Sequence, residues 1–137
     1  MKKTAIIIVI FLILSYPSAA QKDGYKAMYD SAMTYFTLQN YQKALPVFLR
    51  MYNARPDNAN VAYHIGASYL HMPSEKYQAI PYLEKACQKA SKTFLQNMEE
   101  QKAPVSAYFE LGNAYLINYD LAKSIEATTK YKTFFDA

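Results

Sequence analysis

Three short patterns in this chain repeat one another, and that repetition limits the fold more than any other feature. Ala32 stands three residues before Tyr35, Gly66 three before Tyr69, and Gly112 three before Tyr115. Further on come Ala44, Phe48 and Met51 in the first copy, Ala79, Leu83 and Ala86 in the second, and Ser124, Thr128 and Tyr131 in the third. Pro56 closes the first copy. Ala32 to Gly66 is 34 residues, a period at which helix-turn-helix units stack on one another. Gly66 to Gly112 is 46, so some twelve extra residues separate the second and third units. Small residues at fixed places let two helices approach closely, and the tyrosine three positions later fills the space beside the contact.

The apolar spacing predicts six helices, over about 23–38, 41–54, 58–71, 75–99, 104–118 and 121–135. Asn40, Asp57 or Asn58, and Ser74 are the expected N-caps. Leu83, Cys87, Ala90, Phe94 and Met98 keep helical spacing through the inserted stretch, so the extra residues are expected to lengthen the fourth helix. Pro46 and Pro81 each follow a small residue by two, inside the second helix of a pair, where each is expected to bend it. The fold expected is all-α: three stacked helix-turn-helix units, about 25–58, 59–98 and 105–137, forming a short right-handed α-solenoid.

Residues 1–20 read as a secretory leader. Lys2 and Lys3 precede an apolar run from Ala5 to Leu14, and Pro17, Ser18, Ala19 and Ala20 supply a breaker and small residues. Cleavage is expected after about Ala20, leaving an exported domain over 21–137. The run is shorter than the ~20 residues of a membrane-spanning helix. Without Lys2 and Lys3 the chain holds 13 Lys+Arg against 11 Asp+Glu, a net charge of +2. That balance argues against nucleic acid or an acidic membrane surface as partner. Cys87 is the one cysteine, so no disulfide closes within the chain; a lone thiol in an exported protein can pair between chains, but the apolar neighbours Leu83, Ala86 and Ala90 favour a buried thiol.

These residues resemble the tetratricopeptide-repeat (TPR) family over roughly Tyr25 to Phe135. Members often carry tryptophan near the start of each first helix, where this chain has Met28, Ala62 and Tyr108. A narrower resemblance rests on Ala79-Ile80-Pro81-Tyr82-Leu83-Glu84-Lys85-Ala86 and Tyr108-Phe109-Glu110-Leu111-Gly112-Asn113-Ala114-Tyr115. These stretches are similar to the N-terminal region of Gram-negative envelope proteins that continue into WD-like β-propeller repeats and an OmpA-like peptidoglycan-binding domain. Some of those serve type IX secretion and gliding. The resemblance implies a periplasmic or outer-membrane setting. It leaves two main readings, a stand-alone adaptor first and the docking segment of a larger peptidoglycan-anchored protein second. An envelope chaperone is a third.

In such an array the first helices line the concave side. Tyr29, Met33 and Phe36, then Tyr63, Ala67, Leu70 and His71, then Phe109, Asn113, Leu116 and Ile117 would form a tyrosine-lined groove for a partner's helix or extended segment. Equally, these rings could be packing surface, since helical aromatic stripes commonly are. Tyr131, Phe134 and Phe135 on the last helix suggest self-association or contact with further chain. No enzyme, cofactor, metal or small-molecule substrate is expected. His64 and His71 share a helix face without a third ligand. Glu99 and Glu100 are adjacent and so do not face each other. No phosphate-binding glycine loop or nucleophile elbow occurs.

Overall fold

The computed structural model describes residues 19–136, so all of the expected leader except Ala19 and Ala20 lies outside the described residues. Among these the fold is all-α. The helices are α1 (Ala19–Thr37), α2 (Tyr41–Ala54), α3 (Ala59–His71), α4 (Ala79–Cys87), α5 (Ala107–Ile117) and α6 (Leu121–Thr133). A 3-10 turn at Lys76–Gln78 leads into α4. Two short strands, β1 (Ala90–Ser91) and β2 (Ala103–Pro104), pair in parallel, Ala90 opposite Ala103 and Ser91 opposite Pro104.

Side chains set the helix starts. Asn40, Asn58 and Asp120 each accept the backbone N–H three residues on, from Lys43, Val61 and Lys123. Each bond satisfies a donor that the first turn of a helix leaves free. The turns before Asn40 and Asp120 are alike. Gln39 and Tyr119 take left-handed backbone, φ 57° and 61°. The next residue then donates its N–H five residues back, Asn40 to Tyr35 O at 2.8 Å and Asp120 to Tyr115 O at 2.9 Å. This is the helix-ending motif that usually uses glycine. The same residue thus closes one helix and caps the next, which makes the turn as short as it can be.

Each helix packs on its sequence neighbours, and α3 also touches α5. The close approaches fall at the small residues. A Cβ on Gly66 would lie 2.5 Å from Leu83 Cγ and 3.3 Å from Ala79 O; on Gly112 it would lie 2.5 Å from Thr128 Cγ2 and 3.3 Å from Ser124 O. Ala32, Ala44, Phe48, Ala79, Leu83 and Ala86 are wholly buried, Tyr69, Tyr115 and Ser124 are buried, and Tyr35 is half-buried. Pro56 lies exposed in the turn between α2 and α3.

Three expectations need correction. The fourth helix ends at Cys87 and does not run to 99. The inserted segment leaves it because polar side chains capture backbone N–H groups in non-helical turns. Ser91 Oγ accepts from Thr93, Asn97 Oδ1 from Glu99 and Glu100, and the Glu100 carboxylate from Leu95, Gln101 and Lys102. The segment doubles back over the start of α3, where Gln101 O accepts the Ala59 N–H and Asn97 O accepts Asn60 Nδ2. Second, Ser74 caps nothing. Glu75, at φ 64°, precedes the 3-10 turn, and Gln78 precedes α4 without a side-chain cap. Third, the two prolines differ. Pro46 lies inside α2 and withholds an N–H there, whereas Pro81 is the third residue of α4, where no acceptor within the helix awaits it.

Candidate functional site

The eleven expected groove residues divide by unit. Tyr29, Ala67 and Leu70 are buried, while Met33, Phe36, Tyr63 and Asn113 are half-buried. His71, Phe109, Leu116 and Ile117 are exposed. Phe36 meets Tyr41, Phe48 and His64 edge-on, so it belongs to the packing between α1, α2 and α3. The Tyr63 ring packs against His64, and its hydroxyl accepts from Ser106 Oγ at 3.5 Å. A continuous eleven-residue groove is therefore not open to solvent. What stays open is the stretch from His71, whose ring stacks on Tyr41 at 4.9 Å, to the apolar face of α5. Beside His71 a cleft of about 390 Å³ is lined by Leu38, Tyr41, Met72 and Pro73 among others.

Large apolar side chains in solvent gather in the third pair. Phe109, Leu116, Ile117, Tyr119, Leu121, Ile125 and Phe135 are all exposed; elsewhere among the described residues only Leu38, Tyr77 and Leu95 are. Phe109 leans on Tyr131, and Tyr131 on Phe135, so one end of the molecule carries a connected aromatic row. Such grouping departs from the scattered single residues of an ordinary surface.

A second cleft escaped the sequence reading. It holds about 360 Å³ between α4, α5 and α6, with an apolar floor of Cys87, Leu111, Ala127, Tyr108 and Tyr115. Its charged rim consists of Glu84, Lys123, Glu126 and Lys130. The charges are engaged: Tyr115 donates its hydroxyl to Glu84, Lys130 pairs with Glu126 at 2.8 Å, and Lys123 pairs with Asp120 at 3.4 Å. Burial, with the Glu84 carboxylate beside it, pushes the Tyr115 phenol up. Burial pushes the Cys87 thiol to about 12, so it stays protonated and poorly nucleophilic at neutral pH. Tyr108 donates to the Cys87 carbonyl at 3.1 Å. No spacing in the sequence announces this cleft, because its walls come from three helices, the first set apart from the other two by the insertion.

His64 lies buried between aromatic rings, with Nδ1 2.8 Å from Asn60 O. A ring nitrogen facing a carbonyl must carry the proton and donate. Burial lowers its pKa to about 4. His64 and His71 thus have separate surroundings, the first in the core and the second on the Tyr41 ring. Among the described residues no group of three or more His, Cys, Asp or Glu is placed to hold a metal ion. No described helix is long and apolar enough to cross a membrane. No protein-family model matches this chain, and no curated protein matches it.

Proposed function

We propose that this chain is a non-enzymatic scaffold of the cell envelope, built as three tetratricopeptide-type units in a short right-handed solenoid, and that it works by holding a protein partner. The leader, residues 1–20, directs export, and the mature chain begins at Gln21. The partner segment lies across the first helices and is gripped at the α5 end. One observation carries this reading: Phe109, Leu116 and Ile117 stand half in water on a helix whose other face is packed. Leaving that much apolar surface exposed disfavours the free monomer, and covering it with a partner's apolar anchors recovers the loss.

The test is a photo-crosslinking amino acid placed at Phe109 or Ile117 in cells that export the protein. A discrete adduct is expected from both positions and none from Ser31, which is exposed on α1. Equal labelling at all three sites, or none at the first two, refutes the groove. N-terminal sequencing of the envelope fraction should begin at Gln21; a chain retaining its first residues refutes the leader.

A further inference from the structure

Tyrosines pack the junction between the first two units, and two of them are missing from the second junction. Aligned on Ala44, Ala79 and Ser124, Tyr52 of α2 corresponds to Cys87 of α4, and Tyr82 of α4 to Ala127 of α6. Aligned on Gly66 and Gly112, Tyr69 corresponds to Tyr115. In the first junction the Tyr52 and Tyr82 rings meet edge-on at 5.5 Å, and Tyr82 stacks on Tyr69 at 6.0 Å. In the second, Tyr115 is kept while the two rings beside it are replaced by a thiol and a methyl group. Tyr108, where the first junction has Ala62, closes part of the space and donates to Cys87 O at 3.1 Å. The cleft of about 360 Å³ is what remains. Pockets for small ligands span about 300–1,000 Å³. Tyr52 and Tyr82 come from the helices that flank the first junction, so the gap at the second follows from Cys87 and Ala127 and not from an absent neighbour.

The charges at the rim do not balance. Lys130 pairs with Glu126 at 2.8 Å, and Lys123 with Asp120 at 3.4 Å. Glu84 is left over. Among the described residues no Lys or Arg pairs with it, and its side chain accepts one hydrogen bond, from the Tyr115 hydroxyl on Oε1. Glu84 is exposed at the mouth of the cleft, with Oε2 open to a further donor. Counted with Asp120, the rim holds three carboxylates and two ammonium groups, a net charge of −1. An anion entering here meets an unpaired carboxylate, whereas a cation completes it with a charge-assisted hydrogen bond.

We infer that this cleft binds a small organic cation, one aromatic ring carrying a primary ammonium group on a short chain. The ring lies against Cys87 and Ala127 beside Tyr115, as Tyr82 lies beside Tyr69, and the ammonium donates to Glu84. Binding is reversible, and the Cys87 thiol takes no part beyond packing. The site is separate from the groove, since Phe109, Leu116 and Ile117 do not line it. It departs from the expectation of no small-molecule ligand, because two absent rings leave no mark in a motif search.

The probe is tyramine, titrated by calorimetry into the purified chain near neutral pH. Saturable one-to-one binding is expected. Neutral 4-ethylphenol should bind roughly tenfold more weakly, and anionic 4-hydroxyphenylacetate more weakly still. Glu84→Gln, at an exposed position, should bring tyramine down to the level of 4-ethylphenol. Ala127→Tyr restores the ring of the first junction; it should abolish binding and raise the melting temperature in circular dichroism. If that variant does not fold, Glu84→Gln and the three analogues still decide. Phe109→Ser, in the groove, should leave tyramine binding unchanged. The inference is overturned by the absence of saturable binding, by 4-hydroxyphenylacetate matching tyramine, or by unchanged affinity in Glu84→Gln. Loss of binding in Phe109→Ser moves the ligand to the groove and overturns it as well. N-acetyltyrosinamide keeps the ring without the charge; tighter binding than tyramine gives the cleft to a protein's tyrosine side chain, and the inference fails.

Discussion

At Gly66 a methyl group would meet Leu83 Cγ at 2.5 Å, so the residue is set by its neighbour. Alanine gains about 1 kcal/mol of helix propensity over glycine, but overpacking a tight contact costs about 1–3 kcal/mol. The steric cost wins here because Leu83 is itself wholly buried. Gly66→Ala should destabilise by about 1 kcal/mol in urea melts, and the penalty should vanish against a Leu83→Ala background, where the space exists. Additive losses would show that the contact is not the cause. His64 has a pH consequence. Its ordinary pKa of 6.5 holds in the unfolded chain, whereas burial lowers the folded value to about 4. Between those values the unfolded state binds the extra proton, so stability falls as pH drops through that window and levels off below pH 4. The difference corresponds to about 3 kcal/mol. Urea melts from pH 7 to 4 should show this slope, and His64→Phe, which keeps a ring among Phe36 and Phe48, should remove most of it.

Helix ends obey local chemistry that is partly visible in the sequence. Asn40 and Asn58 are where the reading puts caps, because a short polar side chain before an apolar run has few better uses. The left-handed Gln39 and Tyr119 were not legible, since glycine is the usual mark and neither is glycine. Gln39→Gly and Tyr119→Gly should each stabilise by about 0.5–1 kcal/mol, relieving that backbone strain; a loss in thermal melts would contradict the assignment. The inserted segment was misread for a physical reason. Phe94 and Met98 carry on the helical spacing of Leu83 and Cys87, but periodicity does not register the pull of Ser91, Asn97 and Glu100 on nearby N–H groups. The groove was only half legible for a related reason. Spacing shows which residues share a face, while burial depends on what packs over that face. Phe36 and Leu116 occupy equivalent positions, and one meets His64 while the other meets water.

Across the whole molecule, that difference becomes a comparison of like with like. Leu45 and Ile125 occupy one repeat position, the first nearly buried and the second 58% exposed. Leu45→Ala should cost about 2–3 kcal/mol, and Ile125→Ala less than about 0.5 kcal/mol. Equal costs would mean that the end of the stack is already covered in solution.

The returning insertion has a consequence for the order in which the chain comes apart. In a simple row of units, fraying starts at an end and passes from neighbour to neighbour. Here residues 97–101 hold the head of α3, and Glu99 reaches Lys22 of α1 at 3.2 Å. The first four helices are thereby clasped into one body, while α5 and α6 hang from its edge. Native-state hydrogen exchange should then resolve two cooperative openings, with the amides of α6 released well before those of α3.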